Sequence, residues 1–152
     1  MAAHFIDTSA LVRRYDRSEP GAERVRTICR PLAANTVIIS RLTPVEVASA
    51  FARKAREGVL DVPRHKLLWR SFLAHWRRQY SAVAVDDQVL LEAQRLVMMH
   101  GLRAYDAVQV GCAKRIATIV AAGSGEPLTF VTADRGQANA ARAEGLDVEL
   151  IS

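Results

Sequence analysis

Short apolar runs of β character alternate along this chain with longer stretches whose apolar residues recur at helical spacing. His4-Phe5-Ile6 predicts a first strand, followed by Val37-Ile38-Ile39, Val83-Ala84-Val85, Leu128-Thr129-Phe130-Val131 and Val148-Glu149-Leu150-Ile151. Between them the spacing predicts helices. One runs from Glu19-Pro20-Gly21 through Val25 and Ile28, and one follows Thr43-Pro44 and ends at Gly58. Another follows Val62-Pro63, with Leu68, Phe72 and Trp76 on one stripe. A fourth carries Val89, Ala93 and Leu96 up to Gly101, and a fifth has Tyr105, Val108, Cys112, Ile116 and Ile119 as its stripe. The last follows Asp134 and stops at Gly145, and residues 121–127 read as a turn-rich connection. Apolar strands separated by helices imply an α/β fold with a short, mostly parallel central sheet and helices on both faces. No linker, repeat or low-complexity segment divides residues 1–152, so one domain is expected.

Half of the residues are hydrophobic and mean hydropathy is +0.03, which excludes a disordered chain. No apolar run exceeds four residues, so no membrane span is expected. The N-terminus lacks the basic and apolar regions of a signal peptide, which predicts a soluble, cytoplasmic protein. Cys29 and Cys112 are too few for a disulfide scaffold or zinc knuckle and sit among apolar neighbours, as buried thiols do. The four histidines never pair at helical spacing, which argues against a histidine metal site.

Charge changes the picture further. The net charge is +5, and residues 41–80 carry nine bases against three acids, so the positive excess lies in the two helices predicted there. Lys66, Arg70 and Arg77 share one side of the second of these, away from Leu68, Phe72 and Trp76. Such a patch attracts a phosphate backbone, because each contact releases condensed counterions. The plainer alternative is a solvated helix face. Arg70, Arg77 and Arg78 are the candidate RNA contacts.

In open parallel sheets, ligands bind beyond the carboxyl ends of the strands. Asp7 directly follows the first strand and Asp134 the fourth, while Glu46 lies in the first turn of the helix after the second. Asp106 lies near the start of the helix after Gly101, and only the fold can bring it to the same edge. Each acid has a simpler job open to it. Asp7 and Asp134 suit helix N-caps, Thr43-Pro44-Val45-Glu46 reads as a capping box, and Asp106 complements a helix dipole. Capping gives no reason for acids to gather at one edge. Two carboxylates ~4 Å apart repel by roughly 4 kcal/mol at an effective dielectric of about 20, so a cluster wants a cation or protons. An all-oxygen donor set suits Mg²⁺, or Mn²⁺, rather than zinc or copper. Beside a basic patch, the matching chemistry is metal-assisted cleavage of a phosphodiester.

These segments resemble a known family. Phe5-Ile6-Asp7-Thr8-Ser9-Ala10-Leu11-Val12 looks like the first acidic motif of PIN-domain ribonucleases, and Thr43-Pro44-Val45-Glu46-Val47-Ala48-Ser49-Ala50 is similar to the second. Leu102-Arg103-Ala104-Tyr105-Asp106-Ala107-Val108-Gln109 matches the third, and Phe130-Val131-Thr132-Ala133-Asp134 with Ala140–Val148 resembles the fourth and the C-terminal end. One departure is Arg135-Gly136-Gln137 after the fourth acid, where the family often has a basic residue and then a large apolar one. The size looks most like the VapC-type toxins of toxin–antitoxin pairs. The resemblance implies a three-layer α/β/α sandwich and a Mg²⁺-dependent endoribonuclease with Asp7, Glu46, Asp106 and Asp134 as its acidic cluster. It implies that the Thr8 and Thr132 hydroxyls orient carboxylates or waters. It further implies a homodimer, and a small antitoxin whose C-terminal segment covers or enters the site. The competing expectation is a non-catalytic RNA- or protein-binding module whose acids are only caps. Receiver and haloacid-type phosphotransfer domains also set Asp after a strand. The first would need paired acids and a late Lys, and the second an acid where Ser9 stands.

Overall fold

The computed structural model describes residues 2–124 and 126–152. Strand β1 (Ala3–Ile6) leads into a short helix α1 (Thr8–Leu11), a 3-10 turn (Val12–Tyr15) and helix α2 (Ala22–Ile28). Then come β2 (Thr36–Ser40), α3 (Thr43–Arg56), α4 (Val62–Arg78), β3 (Tyr80–Val83), α5 (Asp87–His100) and α6 (Ala104–Ser124). The chain closes with β4 (Leu128–Thr132), α7 (Arg135–Ala143) and β5 (Asp147–Leu150). The strands form one parallel sheet in the order β3-β2-β1-β4-β5. The chain first steps outward from β1 to β2 and β3, then returns to its other side with β4. Beyond the carboxyl ends of β1 and β4 lies the switch point where such sheets open a crevice.

Alternation along each strand sends side chains to two cores. Ile6, Val37, Ile39 and Val131 face a layer rich in aromatic residues, where Tyr15 meets Phe51 and Phe72 edge-on and Trp69 stacks on Phe72. Phe5, Ile38, Leu128 and Phe130 face a layer of small side chains from α5, α6 and α7, among them Ala93, Ala107, Cys112, Ala113 and Ala141. Helices on both faces complete the three-layer α/β/α sandwich. Gly21 shows why α2 starts where it does. It has φ +73°, and a Cβ there would come within 2.2 Å of Ile151 Cγ2, so only glycine lets the chain turn against the C-terminal residues.

Several boundaries differ from those the sequence predicts. The third strand is Tyr80–Val83, paired from Val37 to Ser40, and Ala84 and Val85 lie beyond it. It is an edge strand with Ser81 and Ala82 exposed, so its apolar alternation is weak and the stronger run next to it misleads. Helix α6 continues through Ser124 over much of the expected turn; Gly125 of that connection lies outside the described residues. Tyr105 and Ile119, assigned to the α6 stripe, are 62% and 57% exposed. Residues 107–113 are all buried, because this part of α6 is enclosed on every side and no single stripe describes it. Among the described residues no helix is long and apolar enough to cross a membrane.

Candidate active site

Asp7 ends β1 and caps α1. Its Oδ1 accepts from Ala10 N at 3.2 Å, and Ser9 Oγ lies 2.8 and 3.0 Å from its two oxygens. The residue is 1% exposed, and no Lys, Arg or His pairs with it among the described residues. Burial therefore raises its pKa to about 7 against the opposing pull of those hydrogen bonds. Ser9 Oγ also accepts from Ala133 N at 2.9 Å and lies 3.2 Å from Thr132 Oγ1, which ties the ends of β1 and β4 together.

Asp134 follows β4 and caps α7, accepting from Gln137 N at 2.8 Å, while its own N–H donates to Thr132 Oγ1 at 3.1 Å. The Gln137 side chain then spans the crevice. Its Oε1 accepts from Thr132 Oγ1 at 3.3 Å, and its Nε2 donates to Asp106 Oδ1 at 2.7 Å. Asp106, in the first turn of α6, thus joins the edge through α7. It pairs with the exposed Arg103, 3.4 Å away. Glu46 joins from the other side. The α3 N-cap is Leu42, so the expected Thr43 capping box does not form, and Glu46 Oε1 instead accepts from Thr8 Oγ1 at 3.1 Å and Gln109 Nε2 at 2.5 Å. Burial raises the Glu46 pKa, with a smaller push from the Asp106 charge. Gln109 Nε2 also reaches Thr8 Oγ1 and Thr43 Oγ1, at 3.2 and 3.3 Å.

The capping roles foreseen for Asp7 and Asp134 are therefore real, and the one foreseen for Glu46 is not. Arg70, Arg77 and Arg78 are exposed and make no ion pair among the described residues. Arg77 and Arg78 end the helix that feeds the start of β3, on the opposite edge of the sheet from Asp7.

A PIN domain family model matches residues 4–143. The chain belongs to the PIN-domain family. No curated protein matches the sequence significantly. Among solved structures, FitAcB from Neisseria gonorrhoeae is 21% identical with a TM-score of 0.62, covering 95% of each chain. VapBC2 from Rickettsia felis, bound to a DNA fragment from its promoter, is 13% identical with a TM-score of 0.60 over 99% of each chain. PAE2754 from Pyrobaculum aerophilum is 23% identical with a TM-score of 0.57, covering 97% of this chain and 83% of the other. At these identities the likeness is one of fold.

Ser9, Thr43, Gln109 and Gln137 are the site residues that reading the sequence missed. Gln109 and Gln137 each stand three residues after an acid and are 1% and 2% exposed, so a glutamine among buried alanines was the available signal. Among the described residues no three Asp, Glu, His or Cys side chains converge into a ready metal cage, because hydroxyls and amides intervene between the acids. The donor set of this PIN domain nonetheless fits a hard divalent cation. It consists of carboxylate, hydroxyl and amide oxygens, and it includes Gln109 Oε1, which is buried and has no hydrogen-bond partner among the described residues. Mg²⁺ commonly takes only one or two carboxylates and keeps several waters, so a closed cage is not required.

Proposed function

We propose that this PIN domain, acting as one unit over residues 1–152, is a Mg²⁺-dependent endoribonuclease and the toxin of a VapBC-type toxin–antitoxin pair. The observation that carries the reading is Asp7, a carboxylate buried at the switch point of the sheet with no cationic partner among the described residues. Family membership and the fold shared with toxin–antitoxin proteins support it. Asp7 and Asp106 would hold Mg²⁺ (or Mn²⁺) most directly, with Glu46 and Asp134 acting through water or placing the nucleophile. The ion, when bound, supplies an acidified water and offsets charge on the phosphate. The chain's own groups set the geometry. Ser9 fixes both Asp7 oxygens, Thr8 and Gln109 orient Glu46, and Thr132 with Gln137 holds Asp106 against Asp134.

The partners of this reading are an RNA substrate, a small antitoxin that covers the acid edge, and a second copy of the chain, all in the cytoplasm. Arg70, Arg77 and Arg78 would attract RNA at long range rather than touch the reacting phosphate. A specific observation favours the binding-module reading as well, since Asp7 and Asp134 do cap helices. Asp7→Asn separates the two, because Asn and Asp cap almost equally well while only Asp holds a cation. The purified protein should cut structured RNA into discrete fragments with Mg²⁺, chelator should abolish the cutting, and expression alone should arrest growth. Asp7→Asn should fold and do neither. Equal cleavage by the variant would return the acids to capping.

A further inference from the structure

A cavity of about 630 Å³ lies between the 3-10 turn, α2 and α4, lined by Arg14, Arg17, Arg26, Arg30 and Arg64 against a single acid, Glu23. Its charge is largely uncompensated. Arg30 pairs with Glu23 at 2.6 Å. Arg14 donates to neutral acceptors, Gln79 Oε1 at 2.7 Å and Tyr80 Oη at 2.6 Å, and Arg26 donates to the Arg14 carbonyl at 3.0 Å. The Arg17 and Arg64 side chains have no partner among the described residues. His75, also on the wall, is held neutral at pH 7, with a pKa of about 4 set by burial and the Arg14 charge. The cavity is separate from the acid edge. Arg14 is tied to Tyr80 at the start of β3, whereas Asp7 and Asp134 lie at the carboxyl ends of their strands.

We propose that this cavity is a second, non-catalytic site that binds the phosphodiester backbone of a nucleic-acid strand. That the strand is the substrate of the acid edge rests on the nuclease reading; the binding itself does not. The lining decides the class of ligand. Its polar groups are almost all donors, and the one carboxylate is already taken by Arg30. A phosphodiester is acceptor-only and matches guanidinium forks. A peptide would bring its own N–H donors and find no free carboxylate to meet them.

The test measures binding of a short fluorescent single-stranded RNA in chelator, where no cleavage occurs, to the wild type and to Arg17→Glu/Arg64→Glu. Both side chains are exposed and have no partner among the described residues, so the variant should melt with the wild type. Affinity should fall by about tenfold or more, and the log–log salt slope should drop by about 1.4, for two lost phosphate contacts. Arg53→Glu/Arg56→Glu makes the same change in net charge at exposed positions of α3, outside the cavity lining, and should cost clearly less. Equal losses in the two variants would overturn the cavity as a site and leave only diffuse attraction. Competition by oligoglutamate as strong as by RNA of equal charge would overturn the phosphate assignment in favour of an acidic peptide. Inorganic phosphate binding as tightly as the RNA would reduce the site to a free-phosphate pocket and overturn the strand. Failure of the nuclease reading would leave this binding intact, and failure of the cavity would leave cleavage of very short RNAs intact.

Discussion

Two groups of carboxylates in this molecule meet opposite fates. Glu144, at the C-cap of α7, is nearly enclosed and accepts from Arg95, Lys114 and His100 at 2.7, 2.7 and 2.8 Å. Glu92 shares Arg95 and Lys114, and hydrogen bonds from these bases hold both acids at a pKa of about 2. Asp7 is more deeply buried still, yet its partners are a hydroxyl and a backbone amide, and its pKa rises to about 7. Burial without a base at hand lifts Asp7, whereas basic partners hold Glu92 and Glu144 down. Acids neutralised by the chain's own bases brace α5, α6 and α7, while Asp7 and Glu46 at the carboxyl edge of the sheet have no base paired with them among the described residues. Helix α7 joins the two groups, with Glu144 held at one end and Asp134 and Gln137 engaged at the other.

The sharpest way to break this contrast is to remove charge from the edge. Asp106→Asn should keep its bond from Gln137 and its fold while RNA cleavage falls by orders of magnitude, and millimolar Mg²⁺ should no longer raise the melting temperature as it does for the wild type. A wild type whose melting temperature ignores both Mg²⁺ and Mn²⁺ would remove the distinction between the two groups.

A smaller effect should appear in stability against pH, with opposite signs for the two groups. The folded pKa of Asp7 is raised, so its contribution is complete below the ordinary Asp value and is lost as pH rises through about 7, up to about 4 kcal/mol in all. In metal-free buffer Asp7→Asn should therefore melt higher than the wild type at pH 8, and the gap should close towards pH 4. Glu144 is depressed, so its contribution is present above the ordinary Glu value and is lost as pH falls towards about 2. Glu144→Gln should cost about 1–2 kcal/mol at pH 7, and thermal melts should show that difference vanishing on acidification.

Much of this was legible in the residues. The strand–helix alternation predicted the parallel sandwich, and the order of the four acidic motifs led to the family. Other features were not legible, for identifiable reasons. The helical turn after Asp7 is too short to show a period, and the edge strand Tyr80–Val83 has half its residues in solvent. The Thr43–Glu46 spacing is that of a capping box, and no local rule reveals that Gln109, far along the chain, takes Glu46 away from it.

What the sequence by itself determined is which groups are available: acids after strands, buried thiols, and an arginine-rich segment. Local periodicity and composition suffice for that, because they depend on neighbours along the chain. Which groups meet was decided only by the tertiary structure. The reversal of strand order at β1 and β4 sets Asp7 beside the end of β4, α7 delivers Gln137 to Asp106, and α2 and α4 close Arg26 and Arg64 around one cavity. Charge state follows from those meetings, since desolvation and pairing are properties of the packed interior and not of the residue type.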